Sequence, residues 1–423
     1  MHKSVALVDC NAFFCSCEIL FRPDLRGKPV GVLSNNDGCF VSLTKELKAL
    51  GVPMGAPYFK YKSICEKNRV EVFSSNFSLY TNISDRVMYT LAQFTPKIEI
   101  YSVDEAFLDL SGFESWGLKE YGLEVKKSVE MNIGIPVCIG IGPTKVLAKV
   151  ANRVAKKIKS TDGVVDITDP IKREKALECV AIEDIWGVGR SNSVKFRSLG
   201  IKTAKDLRDY KNDKLIKKIF TKVGLQLKEE LEGKPRFAIK TEVPKKKEIM
   251  VSRTFGKSTE DLDVLRESIA NYVSSACEKL RKQKSVCSNV EVFVRTDAHK
   301  NVPQYYGFDS KKIQSATSDT RKVIKYAFDI LNKVYRPGYS YRKAGIRLTH
   351  LVDKRYAQMS LLEIPDTLQS DSLMINIDAI NLRDGSGTAK MAACGVDNKA
   401  WAMNRRHMSK RLVTGWSELM RVK

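Results

Sequence analysis

In Ile98-Glu99-Ile100-Tyr101-Ser102-Val103-Asp104-Glu105-Ala106-Phe107-Leu108-Asp109-Leu110, residues 98–103 alternate like a β-strand, Asp104-Glu105 interrupts, and 106–110 resume β-like. The pattern is a strand-turn-strand with two adjacent acids near the bend. Adjacent strand residues point to opposite faces, so both acids serve one site only if they sit where the backbone turns or if the site straddles the strand. A third carboxylate, Asp9, ends the apolar run Val5-Ala6-Leu7-Val8, where a buried strand would leave a sheet. Three carboxylates within about 4 to 5 Å repel by roughly 4 kcal/mol per pair at an effective dielectric of about 20. Divalent cations make such a cluster tolerable, and an all-oxygen donor set suits Mg²⁺. Two such ions about 4 Å apart clamp the attacking and leaving oxygens of an in-line phosphoryl displacement. By spacing alone, an Asp-Glu pair in a tight turn is equally ordinary surface chemistry.

Outward from this segment, 423 residues suggest about three domains at roughly 150 residues each. With 43% apolar residues the chain can build ordinary cores, which excludes wholesale disorder. Lys and Arg number 72 against 49 Asp and Glu, a net charge of +23 that calls for an anionic partner. Nucleic acid is the usual one, although charge alone does not separate it from a membrane surface. The N-terminal apolar run is too short for a signal peptide or a membrane span, so a cytoplasmic protein without a membrane partner is expected. The ten cysteines are scattered, without a C-x-x-C, and His2, His299, His350 and His407 stand apart from them and from one another. Reduced thiols packed as small apolar side chains are expected, not zinc ligands.

Short β-rich runs at 5–8, 30–33, 98–103 and 137–141 alternate with helical stretches at 44–50, 79–93 and 145–159, an α+β or α/β pattern that closes at Asp169-Pro170. Residues 171–231 are helical throughout. Pro244-Lys245-Lys246-Lys247 lies in a stretch without apolar periodicity that reads as a tether. A second mixed unit follows, with strands at 249–255, 290–295 and 343–348 and helices at 261–282 and 320–335. Patterning weakens after 351.

Four segments in order carry a resemblance: Val8-Asp9-Cys10-Asn11-Ala12-Phe13-Phe14, Ser34-Asn35-Asn36-Asp37-Gly38-Cys39, Tyr101-Ser102-Val103-Asp104-Glu105-Ala106-Phe107-Leu108-Asp109 and Ile185-Trp186-Gly187-Val188-Gly189. They resemble the motifs of Y-family translesion DNA polymerases. The Asn-Asn-Asp-Gly-Cys segment and the closing Leu-Met-Arg-Val-Lys particularly resemble the UmuC subgroup, which supplies the catalytic subunit of bacterial DNA polymerase V. The resemblance implies an α+β multidomain fold, a right-hand polymerase with a palm at 1–170 and fingers inserted at about 25–78. A helical thumb at 171–234, a basic linker at 235–248, a little finger at 249–350 and a partner-binding C-terminal tail at 351–423 would follow.

By the same resemblance Asp9, Asp104 and Glu105 are the catalytic metal ligands for two Mg²⁺, with the main-chain carbonyl of Cys10 as a further oxygen. Phe14 is the steric gate against a ribose 2′-hydroxyl; without the resemblance it reads as a core aromatic, as Phe13 does. Lys48 in the fingers and Lys156 are expected on the phosphates of the incoming nucleotide. Lys156 lies in a helix whose Lys145, Lys149 and Arg153 also stay off its apolar stripe, a pattern that a solvated basic face produces as well. Thr44 and Lys45 depart from the Asn and Ala usual in the subgroup, a difference that bears on the shape of the nucleotide pocket and not on the chemistry.

Residues 182–207 read as helix, Gly187-Val188-Gly189 turn, helix, similar to a helix-hairpin-helix that grips DNA phosphates through backbone N–H groups without reading sequence. A packing turn is the bland alternative. Lys245, Lys246, Lys247, Arg253 and Lys257 lead the segment that resembles the little finger. Gln358-Met359-Ser360-Leu361-Leu362 resembles a sliding-clamp peptide in which Gln358, Leu361 and Leu362 make the contacts. The expected activity is error-prone, template-directed translesion synthesis in DNA repair and the SOS response, on primer-template DNA and deoxynucleoside triphosphates. The resemblance also implies a cleaved UmuD dimer and a RecA filament as partners. A metal-dependent nuclease using the same acids and a non-catalytic DNA-binding accessory factor are the competing readings.

Overall fold

The structure, a computed structural model, describes residues 3–242, 244–357, 366–396, 401–413, 415 and 418–419. Contacts divide the chain into two units: residues 1–34, 39–243 and 407–423 form the first, 35–38 and 244–406 the second.

In the first unit the N-terminal apolar run becomes the strand Val5–Cys10, the centre of a five-stranded sheet. Ile98–Ile100, Glu105–Asp109, Val5–Cys10, Val137–Gly142 and Val164–Asp166 lie side by side in that order. All neighbours are antiparallel except the last pair. A central strand covered on both faces needs an unbroken apolar run. Ala6 and Val8 pack with residues of the helices Phe77–Leu91 and Leu118–Asn132, while Val5 and Leu7 pack with Phe107 and with Ala148 of the helix Lys145–Lys157. Asp9, two residues beyond Leu7, faces this second side. The strand expected over 98–103 stops at Ile100. The Tyr101 and Ser102 N–H groups both turn back to the Glu105 carbonyl, at 3.0 and 3.1 Å, which closes the bend and makes Glu105 the first residue of the next strand.

A smaller sheet, Phe40–Leu43, Val30–Leu33 and Glu71–Ser74, carries the helices Lys45–Ala49 and Tyr58–Lys67. Thr44 caps the first of these helices by accepting from Leu47 N–H, and its hydroxyl oxygen also takes Val30 N–H at 3.0 Å. The Asn-to-Thr departure thus keeps a capping side chain. Four helices, Pro170–Cys179, Arg190–Ser198, Ala204–Asp209 and Asp213–Leu231, close a core around Val146, Leu147, Val150 and Val154 of Lys145–Lys157. The helix expected ahead of Gly187 is only a 3₁₀ turn, Ile182–Asp184. Gly187, at φ +88°, reverses the chain in the left-handed region, and Gly189 caps Arg190–Ser198.

The stretch 235–248 forms neither helix nor strand among its described residues, and it makes contacts within each unit. In the first unit Lys240 N–H donates to Glu99 at 2.6 Å and Ile239 packs on Val5, Leu7 and Phe107. In the second unit the Lys245 ammonium pairs with Asp353 at 2.7 Å and Lys246 N–H donates to Gln283 at 3.1 Å. Hydrogen bonds by backbone groups leave no apolar periodicity, which is why the sequence pattern misses them.

The second unit is a four-stranded antiparallel sheet in the order Tyr306–Thr317, Ser285–Thr296, Tyr341–Asp353, Ile249–Thr259, with Leu262–Lys282 and Thr320–Val334 covering one face. The strand Tyr306–Thr317 and the helix Leu368–Asp384 have no counterpart in the sequence reading. The strand sits at the sheet edge and its only buried large apolar residue is Ile313; the helix buries only Met374. Neither has a stripe for periodicity to detect. All ten cysteines are free, eight of them buried, as expected of apolar packing.

Candidate active site and nucleic-acid surface

Asp9 and Glu105 are register partners on neighbouring antiparallel strands, so their carboxylates stand side by side on one face. Cys10 N–H donates to the Asp104 carbonyl at 2.8 Å and fastens the acidic bend to the end of the central strand. Asp104 lies in the bend itself and accepts the Ser102 hydroxyl. Of the two adjacent acids, Glu105 thus shares a face with Asp9, while Asp104 stays in the bend with its carboxylate on Ser102.

Over this face runs Lys145–Lys157, its N-terminus capped by Thr144, which accepts Leu147 N–H at 3.2 Å. Residues 4 and 11 apart lie on one side of a helix at 3.6 residues per turn, and each lysine on that side meets a carboxylate. Lys145 pairs with Glu99, Lys149 with Glu105 at 3.0 Å, and Lys156 with Asp9 at 2.6 Å. The Lys145 side chain is 3% exposed, so the solvated-face reading fails there. Burial pushes the Asp9 carboxyl up to about 6, the Lys156 ammonium pulls it down, and the Glu105 charge adds to the rise. Burial and the negative charges of Asp9 and Asp104 push the Cys10 thiol far up, so that side chain stays a thiol.

Among the described residues no cluster of three His, Cys, Asp or Glu side chains is set to hold a metal ion. Asp9 and Glu105 are instead turned onto ammonium groups. Asp9 and Glu105 offer oxygen atoms only, the donor type that suits a hard divalent cation, and the two ammonium groups now balance their charge.

Ala12, at φ 44° and ψ 48°, turns the central strand into the helix Phe13–Phe21. A left-handed alanine costs about 1 to 2 kcal/mol, so the packing that follows must hold it. Phe13 is buried in the core. Phe14 is only partly buried and stacks on Tyr80 with centroids 4.6 Å apart and rings 17° from parallel, while Phe77 meets it edge-on at 6.0 Å. Lys48 is exposed on Lys45–Ala49.

Gly187 and Gly189 have open space where a side chain would be, and the N-terminus of Arg190–Ser198 follows them. Trp186 beside them donates its indole N–H to the Tyr101 hydroxyl at 3.0 Å. The Lys149 ammonium lies 4.5 Å from the Tyr101 ring centroid and 5.5 Å from that of Trp186, which ties this turn to the acidic bend.

In the second unit Arg253 is in register with Ala344 of the core, on the helix-covered side of its sheet, and Lys247 is exposed. The open side carries a group that the sequence reading passed over. Arg295 is in register with Tyr306 and Lys343, and Phe293 with Phe308 and Gly345. The Lys343 ammonium lies 6.0 Å from the Phe293 ring centroid. A Cβ at Gly345 would come within 2.6 Å of the Phe293 ring, so glycine is what lets that ring lie over the strand. The signal was available as alternation of Phe293 and Arg295 against buried Val292 and Val294. Gln358, Leu361 and Leu362 lie outside the described residues.

The impB/mucB/samB family matches residues 8–153, and its C-terminal domain matches residues 246–361. A domain of unknown function, DUF4113, matches residues 371–422. Protein UmuC of Salmonella typhimurium is 40% identical over 99% of this chain and 100% of its own length. The chain belongs to the impB/mucB/samB family. DNA polymerase IV of Bacillus velezensis is 26% identical over 91% of the chain and 92% of its own length. A Y-family DNA polymerase chimera of Dbh and Dpo4 shares the fold with a TM-score of 0.63 at 24% identity, over 82% of this chain and 99% of that one. The fold is that of a Y-family polymerase, and the chain is a DNA-directed DNA polymerase of the UmuC type that carries out translesion synthesis. Dependence on divalent metal comes with the family. No helix among the described residues is long and apolar enough to cross a membrane.

Beside the expected site residues stand several that sequence reasoning did not single out: Lys149 on Glu105, Tyr101 and Trp186 around Lys149, and Tyr80 under Phe14. Each depends on a contact between segments far apart in sequence.

Proposed function

We propose that Asp9, Asp104, Glu105 and the Cys10 carbonyl hold two Mg²⁺ ions for template-directed nucleotidyl transfer, in which the primer 3′-oxygen attacks the α-phosphate and pyrophosphate leaves. The observation that carries this is the pairing of Asp9 with Glu105 in one register beneath a helix that aims Lys149 and Lys156 at them. Bound divalent cations supply Lewis-acid stabilisation of the attacking and leaving oxygens. Lys156, exchanging Asp9 for a phosphate oxygen, neutralises the triphosphate, and Lys48 does so from the fingers. The aromatic rings around Lys149 hold its ammonium beside Glu105 and so fix that carboxylate.

Palm (1–170) with fingers inserted at about 25–78, thumb (171–234), linker (235–248), little finger (249–350) and C-terminal region (351–423) are the domains this reading assigns. Gly187 and Gly189 approach DNA phosphates by their backbone and Lys245, Lys246 and Lys247 add cationic contacts, whereas Arg253, expected from the sequence to join them, lies on the helix-covered side of its sheet and is left out of that surface. Primer extension tests the reading: product must lengthen, only with added deoxynucleotides and divalent metal. Shortening of the primer under the same conditions would favour the nuclease.

Phe14 is the sugar gate, because an apolar ring offers a ribose 2′-hydroxyl no hydrogen bond in return for its desolvation. Phe14→Ala is expected to raise ribonucleotide incorporation relative to deoxynucleotide on the order of 10²-fold, the discrimination an apolar pocket achieves against one added hydroxyl. Unaltered sugar selectivity would remove Phe14 from that role.

A cleaved UmuD dimer, a RecA filament and the sliding clamp complete the proposed partners. A clamp peptide tethers the enzyme and raises its effective concentration at the primer end. Replacing Gln358, Leu361 and Leu362 together with Ala is expected to keep single-nucleotide incorporation and abolish stimulation of long extension by the clamp. Full stimulation of that variant would show the peptide to be a chance match.

A further inference from the structure

The helix that carries Phe14 also carries Glu18 one turn later, and this carboxylate is buried. Among the described residues no cation pairs with it. Its Oε1 instead accepts two hydroxyls: Tyr80 at 2.6 Å and Ser409 at 3.2 Å. Tyr80 is the ring on which Phe14 stacks. Its phenol oxygen is thus fixed by Glu18, its face is spent on the gate, and both partners sit on one side of the same helix. Burial pushes the Glu18 carboxyl up, and the hydroxyls of Tyr80 and Ser409 pull it back down.

Ser409 comes from the far end of the chain. The segment containing it is fastened at two further points. Ser74 N–H donates to the His407 carbonyl at 2.8 Å and His407 N–H donates to Ser74 Oγ at 3.0 Å, which fastens residue 407 to the end of the strand Glu71–Ser74. The His407 ring meets Tyr58 edge-on at 5.8 Å. Asn76 donates its side-chain amide to Ser409 Oγ at 3.0 Å while its oxygen caps Phe77–Leu91, the helix that bears both Tyr80 and Phe77. Residues 407–409 therefore touch both helices that build the aromatic stack around Phe14. All these residues belong to the first unit.

We propose that residues 407–409, within the region matched by the domain of unknown function, set the sugar selectivity of the polymerase. Ser409 is a positioning residue. It orients Glu18, Glu18 orients Tyr80, and Tyr80 holds the Phe14 ring at the height where it meets a 2′-hydroxyl. A Tyr80 ring without its phenol anchor can slide along the helix face, and the gate above it then yields to the extra oxygen. The C-terminal region thus reaches the nucleotide pocket through three side chains. This rests on the reading of Phe14 as the gate.

The test measures kcat/KM for a deoxynucleotide and its matching ribonucleotide with the full chain, together with Tm. Ser409→Ala and Tyr80→Phe are each expected to lower the ratio of the two about 5-fold, the factor that one neutral hydrogen bond is worth. Ser409→Thr keeps the hydroxyl and should restore the ratio. Tyr80→Phe keeps the ring, so it remains informative if Ser409→Ala folds poorly. Phe14→Ala is the reference. If it lowers the ratio while Ser409→Ala and Tyr80→Phe leave it unchanged, the C-terminal coupling is wrong and the gate stands. If Phe14→Ala itself leaves the ratio unchanged, the gate reading fails and the coupling falls with it. An equal fall for both sugars in Ser409→Ala, with Tm lowered, would make the segment a purely structural strap and overturn the proposal.

Discussion

Glu105→Gln is expected to lower nucleotide incorporation by about 10³-fold or more, a barrier increase of about 4 kcal/mol at 1.36 kcal/mol per decade. Primer-template affinity should stay within a few-fold. The substitution is isosteric and leaves an oxygen to accept from Lys149, which now lies 3.0 Å from Glu105. Only the charge is lost. Alanine at the same place would also strand a partly buried ammonium, and breaking a buried pair by removing one partner costs about 3 to 5 kcal/mol. Glutamine therefore separates chemistry from folding. Asp9 stands directly across from Glu105, so removing one negative charge should draw its raised pKa back down, and loss of activity cannot be blamed on a newly protonated Asp9. Single-turnover incorporation at saturating DNA, with binding measured by anisotropy, reads both quantities. Equal losses of DNA affinity and incorporation would contradict a division in which carboxylates do chemistry and basic surfaces bind.

How far the sequence anticipated this site follows from which physical signals are local. Asp9 at the end of Val5–Cys10 was legible because a strand covered on both faces must be apolar, and a carboxylate closing such a run is conspicuous. The bend at Asp104 was legible because alternation breaks there. Which face Glu105 takes was not, since it depends on Tyr101 and Ser102 N–H groups turning onto one carbonyl. The lysines of Lys145–Lys157 were visible as a basic face, but their partners Glu99, Glu105 and Asp9 come from other strands. Tyr80 and Ser409 lie 66 and 395 residues from Phe14 in this numbering, and no periodicity spans such distances. The missed strand Tyr306–Thr317 belongs to the same class: its place is set by pairing with Ser285–Thr296, not by its own apolar content.

The salt dependence of DNA binding should be steep, and the open face of the second unit should carry a measurable part of it. A +23 chain that binds without reading sequence does so largely by displacing counterions. With roughly 6 to 10 phosphate contacts, raising salt from about 50 to 200 mM should weaken binding by about 10³ to 10⁵. Arg295 and Lys343 are register partners on the uncovered side of the sheet, beside Phe293 and Tyr306. Cations interleaved with rings suit a nucleic-acid backbone, the charges meeting phosphate and the rings meeting the flatter sugar and base surfaces. If each cation neutralises one phosphate, Arg295→Ala with Lys343→Ala should flatten the slope of log affinity against log salt by about 2, at about 0.9 per contact. Arg253→Ala is the internal comparison, because Arg253 lies on the side covered by helices. A slope unchanged in the double variant but flattened by Arg253→Ala would put the duplex on the helix side of the sheet, and the aromatic-basic face would have to serve some other partner.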